Sequence, residues 1–137
     1  MREISEKERE EMVDRIKDAL ESDERIAFAY LHGSFLAGPF RDIDLGIYIR
    51  AGEGRGVLDY ELGLENRLEK ITGIPTDVRA LNSAPLPFRF NVVAKGLLLF
   101  SRDESLRSDF ESLTFVEYHD FKHFRRRYMK EALGLEV

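Results

Sequence analysis

The sequence has 137 residues, of which 43% are apolar and 34% charged, with a formal net charge of −5 and no cysteine. That length suits about one domain, and the composition excludes fibrous, mucin-like and wholly disordered classes, disulfides, thiolate metal sites and a cysteine nucleophile. The acidic balance, with a pI near 5.3, argues against a nucleic-acid coat, which needs a basic field.

In chain order, Met1 to Glu11 is dense in charge, so no secretory signal is read there. Ser5 and Glu8 have capping-box spacing. Ile4, Met12, Val13, Ile16, Ala19 and Leu20 then recur at helical period, so a helix is predicted from Ile4 to about Ser22. Arg25 to His32 is short, apolar and aromatic, as a buried strand is. Gly33 to Arg41 holds two Gly and a Pro and reads as a turn or a broken helix start. From Asp42 to Ile49 the period is two. Ile43, Leu45, Ile47 and Ile49 share one face; Asp42, Asp44, Gly46 and Tyr48 share the other.

Ala51 to Gly56 reads as a flexible link, and Val57 to Ile71 as a helix closed by Gly73. Pro75 to Leu81 reads as a strand with Asp77, Arg79 and Leu81 on one face. Pro85 and Pro87 open a helix that runs through Phe88 to Lys95, and Leu97 to Phe100 is a short strand. Asp103 to about Leu133 is helical and aromatic; its Phe110, Leu113, Phe115, Val116, Tyr118, Phe121, Phe124 and Tyr128 are read mostly as core, with a dimer or partner surface as the other use of such a stripe. No run approaches the ~18 apolar residues a membrane span needs. A soluble, cytoplasmic protein is expected: one α/β (α+β) domain over 1–137, with a core at about 26–100, a small mixed sheet of about four strands flanked by helices, and a long C-terminal helix at about 103–134.

The stretch that carries chemistry is Leu31 to Ile49, LHGSFLAGPFRDIDLGIYI. A strand ends at Gly33–Ser34. Glycine lets a ligand approach the backbone closely, and exposed N–H groups at such a turn favour anions, phosphate above all. Asp42 and Asp44 then share a strand face, ~7 Å apart at the Cα, so both carboxylates can reach one hard cation. Two carboxylates at ~4 Å repel by about 4 kcal/mol at an effective dielectric of ~20. A raised pKa, a basic neighbour or a divalent ion must offset that. Oxygen ligands suit Mg²⁺ or Mn²⁺. A phosphate site beside a magnesium site is the equipment of phosphoryl or nucleotidyl transfer.

Gly33, Ser34, Asp42, Asp44 and Asp77, in strand–turn–strand context, resemble the hallmark of the DNA-polymerase-β-like nucleotidyltransferase superfamily, and specifically its minimal nucleotidyltransferase (MNT) proteins. The likeness covers roughly positions 26 to 100. The Gly33–Asp42 loop is a few residues shorter than the family's usual form, and Arg41 stands where a small hydroxyl residue is common. The resemblance implies that Gly33 and Ser34 hold the β- and γ-phosphates of ATP; Arg41, a departure from the pattern, reads as pairing with a phosphate or with one of the acids. Asp42, Asp44 and Asp77 would bind Mg²⁺, and Asp77 would help deprotonate the attacking hydroxyl. It further implies transfer of AMP to a tyrosine of a partner HEPN-type RNase toxin, an antitoxin role. The contrasting reading is an inert module of the same fold that neutralises its partner by contact or senses nucleotide, which the short loop and Arg41 would suit. Elsewhere, His32 reads as a packed strand-end residue. His119 and His123 share a helix face but lack a third ligand and read as surface residues. Arg125, Arg126 and Arg127 read as cations complementing a helix C-terminus.

Overall fold

A computed structural model describes residues 1–50 and 56–135. Its helices are α1 (Glu6–Glu21), α2 (Val57–Thr72), α3 (Leu86–Lys95) and α4 (Glu104–Leu133). Its strands are β1 (Ile26–His32), β2 (Ile43–Ile49), β3 (Thr76–Ala80) and β4 (Leu97–Ser101). The expected link Ala51 to Gly56 lies, apart from Gly56, outside the described residues. The other expected elements are present to within a few residues at each end. Among the described residues no helix is long and apolar enough to cross a membrane.

Local chemistry sets the element ends. Ser5 accepts from the Glu8 N–H and the Glu8 carboxylate accepts from the Ser5 N–H, which starts α1. Gly73, at φ 75°, closes α2 in the left-handed conformation. Where a helix start was one option for Gly33 to Arg41, the chain makes only a single 3₁₀ turn, Ser34–Leu36. Gly38 and Pro39 end it there.

The sheet order is β3-β2-β1-β4. β1 is antiparallel to β2 and β4, and β2 is parallel to β3 across the α2 crossover. The sheet is covered on both faces. On one, Ile43, Leu45 and Ile47 meet Ile16 and Leu20 of α1 and Leu64 and Leu68 of α2. On the other, Phe28 and Tyr30 meet Leu81, Val92 of α3 and Phe110 of α4. β1 is thus buried on both sides, which is why its sequence is apolar throughout rather than alternating. The second face of β2 is not simply acidic and open. Gly46 lies against Leu81 and Val92, and Tyr48 stacks on Phe28 at 4.9 Å. Asp44 and Tyr48, toward its two ends, are each partly exposed.

The aromatic stripe of α4 departs from the core reading. Phe110 and Thr114 are buried, but Leu113, Phe115, Val116, Phe121, Phe124 and Tyr128 are exposed. Leu113, Phe115 and Val116 flank the buried Thr114 and lie on other faces of the helix. For Phe121, Phe124 and Tyr128 the reason is length, since thirty residues of helix extend about 45 Å at ~1.5 Å each, well past strands of five to seven residues. His119, His123, Arg125, Arg126 and Arg127 lie on this exposed stretch.

Candidate active site

The strand register assembles the site. His32, the last residue of β1, pairs with Asp44 of β2, and Asp44 pairs with Asp77 of β3. Directly paired residues point to the same face, so one row of three side chains crosses the sheet from three strands. Asp42 sits just ahead of β2, and Gly33–Ser34 follows His32. Gly33, Ser34, Asp42, Asp44 and Asp77 therefore all lie in or beside that row.

Gly33 is demanded twice over. Its φ of 82° favours a residue without Cβ, and a Cβ built there would run into Asp44 Oδ2. The glycine backbone is therefore packed directly on the Asp44 carboxylate. The turn that follows is held by two bonds of 3.3 Å, Leu36 N–H to the Gly33 carbonyl and Ala37 N–H to the Ser34 carbonyl. Anion attraction here rests on local N–H groups, since one 3₁₀ turn has little dipole. Gly33 and Ser34 are exposed.

The electrostatics single out Asp44. Burial pushes its carboxyl up to about 6, and the charges of Asp42 and Asp77 push the same way, against Arg79. Asp77 Oδ2 lies 3.9 Å from Arg79 Nε, both half exposed. The Arg79 guanidinium lies 5.2 Å from the Phe88 ring centre, and Phe88 meets the His32 ring edge-on at 5.4 Å. Burial holds the His32 imidazole below its ordinary pKa, and its buried Nε2 has no hydrogen-bond partner. Arg41 is exposed and takes part in none of the ion pairs among the described residues. Among the described residues, the cation that meets the acids is Arg79.

Among the described residues no three acidic or histidine side chains are already drawn into a metal-ligand group. The donor chemistry nonetheless fits a hard divalent ion. Asp42, Asp44 and Asp77 offer only carboxylate oxygens, and their mutual repulsion at Asp44 is what such an ion would relieve.

Reading along the sequence missed His32 and Phe88 as neighbours of the acids. Arg79, placed there on the Asp77 face of its strand two residues further on, does meet Asp77. For His32 and Phe88 the link is strand register and helix packing, which no local spacing encodes.

The protein-family model described as "Polymerase beta, Nucleotidyltransferase" matches residues 14–105. No curated protein matches the chain in sequence. Several solved structures share its fold. The toxin–antitoxin MntA–HepT aligns at 18% identity and a TM-score of 0.69, over 90% of this chain and 98% of that one. A tri-AMPylated Shewanella oneidensis HEPN toxin in complex with MNT antitoxin aligns at 18% identity and a TM-score of 0.71, over 91% and 98%. A toxin–antitoxin with AMP-PNP aligns at 17% identity and 0.67, over 90% and 98%. At these identities the likeness is one of fold.

Proposed function

The chain belongs to the polymerase-β nucleotidyltransferase family, and on that premise we propose that it transfers AMP from ATP to a tyrosine hydroxyl of a HEPN-type toxin, acting in the cytoplasm as that toxin's antitoxin. The observation that carries this reading is the Asp44 carboxylate, half buried between two other acids and roofed by the Cβ-free Gly33. The toxin as acceptor follows the solved relatives, which are toxin–antitoxin complexes, one of them holding a tri-AMPylated HEPN toxin.

Each residue has a chemical task in this mechanism. Gly33 and Ser34 receive the β- and γ-phosphates at the exposed turn. Asp42, Asp44 and Asp77 would hold Mg²⁺, which supplies charge neutralisation at the phosphates when bound. The attacking hydroxyl oxygen forms a bond to the α-phosphorus as the bond to the β-phosphate oxygen breaks and pyrophosphate leaves. Asp77, half exposed at the rim, takes the hydroxyl proton. Half-buried His32 and Phe88, in edge-on contact, form the wall beside Asp44.

The test is to incubate the protein with ATP labelled on the α-phosphate, Mg²⁺ and a HEPN-type partner. Label should appear on a partner tyrosine and be absent with Asp44→Ala. Neutralisation that persists in Asp42→Ala and Asp44→Ala, without label, would replace the transferase by an inert module acting through contact.

A further inference from the structure

The Gly33–Arg41 loop is anchored by two core side chains, Phe35 and Phe40, but has few backbone bonds of its own. The two 3.3 Å bonds of its 3₁₀ turn are joined by a backbone pairing of Phe40 with Arg2, at 2.7 and 3.0 Å. Gly38 sits at φ 87° with open space around it, so nothing at that position fixes the chain locally. Yet a buried cation is placed directly behind the loop. Arg9 of α1 is among the few buried charged residues, with a side chain only 10% exposed. Its Nη1 donates to the Phe35 carbonyl at 2.5 Å and its Nη2 to the Gly38 carbonyl at 3.4 Å. Its guanidinium lies 5.4 Å from the centre of the Phe35 ring and 5.9 Å from that of Phe40, and these two rings meet edge-on at 4.7 Å. Its Nε is buried without a hydrogen-bond partner, and among the described residues its ion-pair partner is the exposed Glu6, 3.5 Å from that Nε.

Burying a guanidinium is costly unless its donors are satisfied. At this position an apolar side chain could pack between two phenylalanines without that cost. What only an arginine supplies is a rigid fork with two donors reaching two carbonyls of the same loop. Lysine, a single point donor on a flexible stem, cannot bridge them in the same way.

We infer that Arg9 is a positioning residue that holds the Gly33–Arg41 loop in the shape that receives the triphosphate. It touches neither substrate nor the acids; it acts through the carbonyls of Phe35 and Gly38, with its positive charge fixed behind the loop. The consequence for nucleotide affinity rests on the function proposed above, whereas the effect on loop order does not.

The experiment compares wild type with Arg9→Met, which keeps bulk and packing, and Arg9→Lys, which keeps charge but not the fork. Two quantities are read: amide hydrogen exchange across Ser34 to Gly38, and affinity for the Mg²⁺ complex of a non-hydrolysable ATP analogue. Both variants should exchange those loop amides about ten-fold faster and bind the analogue about ten-fold more weakly, while β1 and β2 amides keep their wild-type rates. Arg9 lines a cavity of about 210 Å³ with Val13, Leu31 and Leu97. In Arg9→Ala, millimolar guanidinium should enter that space and partly restore both readouts. Loop amides that exchange at the wild-type rate in Arg9→Lys would overturn the inference, as would unchanged analogue affinity with a loosened loop. A general loss of protection, equal in loop and strands, would reduce Arg9 to a stability residue and also overturn it. Should wild type itself fail to bind the analogue, the nucleotide reading falls and the loop-exchange result still decides whether Arg9 positions the loop.

Discussion

Replacing Asp44 by Asn should stabilise the metal-free protein at neutral pH, against the usual trend for an acid in a folded domain. The Asp44 carboxyl rises from an ordinary 3.8 to about 6 through burial and through the charges of Asp42 and Asp77. At about 1.4 kcal/mol per pKa unit, that is about 3 kcal/mol at face value. Because the group is only half buried, solvent screening reduces this to about 1–2 kcal/mol. The native state binds the proton more tightly than the unfolded chain, so stability falls as pH rises between the two values. The contribution is fully present below 3.8 and is lost as pH passes through about 6. Asn has no charge to lose, so at about pH 7.5 with chelator Asp44→Asn should melt about 3–8 °C above wild type. Near pH 4 the gap should close. Mg²⁺ should then raise the melting temperature of wild type and leave the variant nearly unmoved. The assay is thermal unfolding by circular dichroism across that pH range, with and without metal. An Asn variant no more stable than wild type at neutral pH, or a gap that does not shrink on acidification, would refute the idea of three mutually repelling carboxylates.

Asp77→Asn should lower AMP transfer by two or more orders of magnitude, because it removes both a charge that would face the ion and the proton acceptor; circular dichroism should show the fold intact, and transfer near the wild-type rate would remove Asp77 from the machinery. Gly33→Ala forces a side chain into a left-handed backbone against the Asp44 carboxylate. It should cost about 1–3 kcal/mol of stability and abolish nucleotide binding, measured by denaturant unfolding and calorimetric titration. Ser5→Ala breaks the reciprocal cap of α1 and should cost about 1 kcal/mol with the transfer rate unchanged; a lost rate would mean that α1's entry supports the site.

The elements themselves are legible along the chain because short-range physics sets them. The Ser5–Glu8 box starts α1, the helical period carries α2, Gly73 stops it, and the two-residue period of β2 places Ile43, Leu45 and Ile47 in a core. Gly33, Ser34, Asp42 and Asp44 stand close enough in sequence for one turn to bring them together. What the tertiary structure decided is everything that crosses between elements. β2–β3 pairing sets Asp77 beside Asp44, and β1–β2 pairing sets His32 on the other side. Strand period already sets Arg79 on the Asp77 side, but only β2–β3 pairing brings that side against Asp44. The aromatic residues of α4 follow a helical pattern whether or not anything lies beneath them. Since a sheet this small covers only the first turns, the same pattern that buries Phe110 leaves Phe124 and Tyr128 in solvent. Periodicity reports which residues share a face; only the extent of the neighbouring layer determines whether that face is covered.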